Sequence, residues 1–221
     1  MKALNKYGGF AAFYLAAAYL IGITLFLVVL DYPSITDPAQ KVTLLIEKQM
    51  VIFGTNLLMY VFFGIFLVVL SLALYERLKS GMTALMQVAT VTGIIWAGSL
   101  VASGMISNAG IAPVVALHAK DPAQAALLWQ GIESVSSGLG NGNGEILGGV
   151  WMLLVSWAAL KTSGLPKGLN FLGLFAGAAG LISILPGLTD LTGLFGISQM
   201  VWYAWLGIVL LSGSTSNSSK G

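Results

Sequence analysis

Five long apolar stretches of this chain contain no Asp, Glu, Lys or Arg, and a sixth contains one. They lie at about 8–30, 49–75, 82–107, 143–160, 169–185 and 194–211. A helix needs about 20 mostly apolar residues to cross the hydrocarbon of a bilayer. A backbone placed there must satisfy its own hydrogen bonds, so such segments become helices. The expected fold is therefore all-α: a polytopic integral membrane bundle of six transmembrane helices in a single domain over 1–211. The remaining residues, 212–221 (SGSTSNSSKG), read as a flexible polar tail. Composition agrees, since only 8% of the chain is charged against roughly 25% in soluble domains.

Lysines and arginines set the expected orientation. With the N-terminus inside, Lys2, Lys6, Arg77, Lys79, Lys161, Lys167 and Lys220 are cytoplasmic, and Lys41, Lys48 and Lys120 lie outside. Both termini are thus expected in the cytoplasm. The run 8–30 is longer than a signal-peptide core and lacks a small-residue cleavage site after it, so it reads as an uncleaved first span. Cysteine is absent and histidine occurs once, at His118. That excludes thiolate chemistry, disulfides and multi-histidine metal ligation by this chain. No cofactor, metal or catalytic residue is expected.

The most informative segment is 133–149, ESVSSGLGNGNGEILGG, which carries Glu145 into the fourth span. An ionisable group inside a bilayer is a candidate functional site by default. If residues 123–160 formed one helix, Gln130, Ser134, Ser137, Asn141 and Glu145 would share a face, with Glu133 at its edge. Gly140, Gly144 and Gly148 would form an adjacent ridge for close helix packing. Glycines alternating through 138–144 are poor helix formers, so two helices broken there is the other expectation. Glu145 precedes Lys161 by about 16 residues, or roughly 24 Å of helix, which places it in the outer third of the membrane. The expected partners at that depth are Lys48 as cation, Asn56 and Asn108 as neutral donors, and Gln199 on the sixth span. Two roles are open to Glu145: a binding site for an ion, proton or polar solute, or a fastener between helices.

Other signals carry less. Residues 39–48 and 123–140 read as short helices in outer loops, the second offering Leu127, Leu128 and Trp129 to the membrane interface. His118, in the outer loop spanning 111–131, reads as a solvated residue. Trp96 and Trp202 lie deep in spans and read as packing residues. Gly173 and Gly177 make the fifth span a close-packing partner for the fourth.

Three segments then carry a resemblance: GEILGGVWMLLVSWAAL (144–160), LNFLGLFAGAAGLISILPGL (169–188) and ISQMVWYAWLGIVLL (197–211). The C-terminal third resembles a widespread family of prokaryotic six-span membrane proteins catalogued only as a domain of unknown function. The matching features are a Gly-Glu step (Gly144, Glu145), a glycine-rich span ending near Pro186, and a W-x-x-W-L-G close (Trp202, Trp205, Leu206, Gly207). The resemblance implies an all-helical inner-membrane protein and no particular activity. The functional classes carried forward are a non-catalytic subunit or scaffold packing through Gly/Ala-rich faces, a small transporter or channel with an outward-facing site at Glu145, and a cofactor- or lipid-binding intramembrane protein. Expected partners are membrane lipids and other membrane-protein subunits or a second copy of the chain, with no nucleic acid.

Overall fold

The computed structural model of the protein describes residues 2–140 and 145–215, and these are helical nearly throughout. Helix α1 (Lys2–Ile23) continues as a π-helical turn through Val29. Helix α2 (Pro38–Glu47) is followed by α3 (Gln49–Asn56), which passes through a π-helical turn (Leu57–Phe62) into α4 (Phe63–Leu78). Then come α5 (Thr83–His118), α6 (Pro122–Leu139), α7 (Ile146–Thr162), α8 (Lys167–Ile182) and α9 (Leu191–Thr215). Helix α9 therefore takes in the first residues of the expected polar tail.

Four helical segments are long and apolar enough to cross a membrane: Leu4–Val29, Gln49–Leu78, Thr83–His118 and Leu191–Ser212. They expose large apolar side chains such as Leu20, Val28, Ile65, Val91, Ile95 and Ile208, as a hydrocarbon solvent permits. Helices α7 and α8 are apolar but short, at 17 and 16 residues. At 1.5 Å per residue each is about 25 Å long, against a hydrocarbon core of about 30 Å.

The chain forms two compact units. Unit one takes the described residues up to Ala17, Gly64–Gly98, and those from 145 onward. Its framework is α7 packed on α8 and α8 on α9. The backbones of α7 and α8 approach closely where glycines meet. A Cβ added to Gly149 would lie 2.9 Å from the Gly177 carbonyl oxygen, and one added to Gly177 would lie 2.8 Å from the Gly149 oxygen.

Unit two takes Ala18–Phe63 and the described residues 99–140. Its core joins Leu30, Val42, Leu45, Ile52, Ile111, Val114, Ala125 and Trp129. Asp37 and Asp121 cap α2 and α6 by accepting from the Ala39 and Gln124 amides, with Pro38 and Pro122 at the first helical positions.

This core corrects two sequence expectations. The expected loop beyond residue 107 is helix: α5 runs on to His118 through Pro113. Proline removes one backbone hydrogen bond and strains a helix interior, but Ile111 and Val114 on either side of it are buried in the core, and that burial holds the helix. His118 accordingly lies in the last turn of α5 rather than in a loop. Trp129, expected at a membrane interface, is 3% exposed, whereas Leu127 is 69% exposed. The spacing of Ala125, Trp129 and Ile132 turns the tryptophan to the core face of α6.

Glycine substitutions separate close approach from open surface. Gly149→Ala is expected to destabilise the protein by about 1–3 kcal/mol through overpacking. Gly98→Ala, where a Cβ would meet nothing within 4 Å, is expected to be neutral or to stabilise by up to about 1 kcal/mol. Thermal melts of both variants in one detergent check the contrast.

Candidate functional site

Glu145 stands at the N-terminus of α7, in the position before the first helical residue. Helix α6 ends at Leu139, and Gly140 closes it with its amide on the Ser136 carbonyl. The polar stripe imagined on one continuous helix is therefore interrupted. Gln130, Ser134 and Ser137 are exposed on α6, and Glu145 belongs to another helix in another unit. Asn141 and Gly144 lie outside the described residues.

The Glu145 backbone is anchored on α8. Its amide donates to Ser183 Oγ at 3.2 Å, and that hydroxyl donates to the Gly180 carbonyl at 2.6 Å. Its carbonyl accepts the Gly149 amide at 2.8 Å, starting the helix. The residue is 7% exposed. Among the described residues, no side chain or amide donates a hydrogen bond to its carboxylate. The carboxylate turns toward Gly148 and aromatic rings: a Cβ at Gly148 would lie 3.1 Å from Glu145 Oε2 and 2.8 Å from both Phe195 Cζ and Trp96 Cζ2. Gly148 thus keeps open the space in which carboxylate and rings meet. The positive end of the α7 dipole favours negative charge there, but a buried carboxylate without hydrogen bonds is costly to keep ionised. Binding a proton or a cation relieves that cost.

Beside this carboxylate lies an aromatic cluster. Trp151 is fully buried, with ring centroids 6.0 Å from Trp96, 5.8 Å from Trp202 and 6.4 Å from Tyr203. Trp96 and Trp202 are buried. The sequence reading singled out neither Trp151 nor Phe195, because nothing in an apolar run marks which aromatic faces inward. Trp151 Nε1 and Ser71 Oγ, both beside Gly93, are buried without a hydrogen-bond partner among the described residues, as are Ser156 Oγ and Trp202 Nε1 beside Gly173. Gln199, on α9, is fully buried in the same unit.

Unit two gathers most of the other expected site residues. Asn56 Nδ2 donates to Asn108 Oδ1 at 2.9 Å, and Asn108 Nδ2 donates to the Phe53 carbonyl. Glu133 takes Lys41 at 2.9 and 3.0 Å and the Tyr32 hydroxyl at 2.6 Å, while Trp129 Nε1 donates to Tyr32 Oη at 3.1 Å. Lys48 is exposed where α2 meets α3. It was expected to pair with Glu145, but the ion pairs among the described residues are Lys41–Glu133 and Lys79–Glu76. The sequence reading missed the Lys41–Glu133 pair; the capped helices α2 and α6 were the available signal, since their pairing brings the two residues together. Of the expected packing glycines, three are filled from within unit one, Gly148 by Phe195 and Trp96, Gly173 by Ser156 and Trp202, Gly177 by Leu153 and Gly149, whereas Gly140 meets Ser103 and Tyr60 of unit two.

All-helical, with four helices long and apolar enough to cross a bilayer, the chain is by class a membrane protein. Over residues 10–213 it matches the family described as Domain of unknown function (DUF4386), and the chain belongs to that family. No curated protein matches it, and no solved structure does.

Burial first, and then the adjacent Glu133 carboxylate, push the Tyr32 phenol well above its ordinary value of 10.0. An unfolded chain releases that proton near pH 10, whereas the folded protein holds it to higher pH. Stability conferred by Tyr32 is therefore full below about pH 10 and falls as pH rises beyond it. Tyr32→Phe is expected to flatten that decline and to cost about 1–3 kcal/mol at neutral pH by stranding the Trp129 indole. Melting temperatures of both forms between pH 7 and 11 check this.

Proposed function

We propose that this protein is a small cation- or proton-handling transporter or channel, not an enzyme, and that Glu145 is its binding carboxylate. One observation carries the reading: Glu145 is 7% exposed, and its carboxylate lies beside Trp96 and Phe195 and receives no hydrogen bond among the described residues. Intramembrane carboxylates in such surroundings mark ion and proton pathways more often than lipid-facing positions. Helices interrupted near membrane depth are a recurrent way of building such sites.

On this reading six segments cross a prokaryotic cytoplasmic membrane. Helices α7 and α8 do so as shortened pieces, which local thinning of the bilayer accommodates. Both termini lie in the cytoplasm, supported by the excess of Lys2, Lys6, Arg77, Lys79, Lys161, Lys167 and Lys220 over Lys41, Lys48 and Lys120. The single domain reading over 1–211 is kept, with two compact units inside it.

A second reading, a non-catalytic subunit, is favoured by Gly98. This glycine lies open beside exposed Val91, Ile94 and Ile95, a small-residue face suited to another transmembrane helix.

The test is flux across liposomes holding purified protein, with an imposed pH or cation gradient and a trapped indicator dye. Wild type is expected to dissipate the gradient, and Glu145→Gln to reduce flux at least tenfold while retaining its melting temperature. Equal flux from both proteins overturns the assignment of Glu145. An inactive wild type that purifies bound to another membrane protein favours the subunit reading.

A further inference from the structure

Arg77, in the last turn of α4, donates from Nε to the Gly164 carbonyl at 3.0 Å. That bond ties the guanidinium to the short turn between α7 and α8. Arg77 is half-buried and belongs to neither ion pair among the described residues, because Glu76 is taken by Lys79. Four of its five N–H donors have no partner among the described residues. Two more cations flank the same turn. Lys161 closes α7 and Lys167 opens α8, both exposed. A half-buried arginine hydrogen-bonded to a turn that lysines flank along the chain is complementary to a phosphate group, which guanidinium grips in a bidentate manner.

The flanking aromatics specify the source of the phosphate. Lys161 Nζ lies 4.9 Å from the Trp157 ring centroid, and the Trp205 ring lies against Gly168, next to Lys167. Trp157 is 48% and Trp205 39% exposed. Half-exposed tryptophans on apolar helices mark the headgroup level of a bilayer, where acyl chains run along the rings while the phosphate meets the cations. We propose that the α7–α8 turn, with Arg77, is a binding site for the headgroup of an anionic phospholipid. This assignment rests on the membrane class alone and is independent of any role for Glu145.

Purified protein in mild detergent is titrated separately with phosphatidylglycerol, phosphatidylcholine and inorganic phosphate. Retained lipid is read by native mass spectrometry, and stability by thermal melting. Phosphatidylglycerol is expected to be retained selectively and to raise the melting temperature; phosphatidylcholine and phosphate are not. Lys161→Gln and Lys167→Gln together are expected to lower phosphatidylglycerol retention by roughly fivefold for each cation removed, and Arg77→Gln to lower it further. Lys79→Gln, whose charge is already paired, is expected to leave retention unchanged. Equal retention of the two lipids, or undiminished phosphatidylglycerol retention in the double lysine variant, overturns the proposal. Stabilisation by inorganic phosphate equal to that by phosphatidylglycerol overturns the lipid assignment in favour of a free-anion site. Should Arg77→Gln fail to fold, the double lysine variant decides.

Discussion

The backbones of α7 and α8 come together because Gly149 and Gly177 carry no side chains, so each carbonyl lies where the other's Cβ would be. Much of unit one depends on that approach. It brings Ser183 of α8 under the Glu145 amide, which holds the start of α7 and aims its carboxylate inward. It also leaves Gly148 facing Phe195 and Trp96, where a carboxylate oxygen and two aromatic rings share the space. Larger residues at 149 or 177 would part the helices and move Glu145 from its apolar surroundings. Backbone packing by small residues is the expected means of association where hydrocarbon competes equally for apolar side chains.

The two units treat charge differently. In unit two, Glu133 is met by Lys41 and Tyr32, and Tyr32 by Trp129. This network lies over an apolar core and fastens α2 to α6. In unit one, Glu145 and Arg77 are each withdrawn from water without an opposite charge among the described residues. Uncompensated charges are costly and persist where something else neutralises them. On the proposed readings, a proton or cation would answer Glu145, and a lipid phosphate would answer Arg77. The clasp of unit two is structural, and both proposed binding groups belong to unit one.

Much of the fold was legible because its signals are local. Charge-free runs marked the long helices, and Asp-Pro steps at 37–38 and 121–122 marked the starts of α2 and α6. Gly140, within the glycine run, marked the end of α6. Of the site, Glu145 was legible as a carboxylate in an apolar run. Its neighbours were not: matching residues by depth proposed Lys48, Asn56 and Asn108, whereas Asn56 bonds Asn108 and Lys48 is exposed. Depth along a helix leaves azimuth undetermined, and azimuth decides contact. Pro113 and Trp129 misled for a related reason, since local propensity cannot register burial supplied by residues distant in the chain.

By itself, the sequence determined the helical class and the low-dielectric solvent it needs, because backbone hydrogen bonds and charge cost depend only on local composition. It also singled out Glu145 as the one carboxylate in the apolar runs. Only tertiary structure decided which groups face that carboxylate, that Lys41 rather than Lys48 is paired, and that Arg77 is fixed beside the α7–α8 turn. Those outcomes depend on which helix faces meet, and that is settled by packing summed over many contacts, not by any short run of residues.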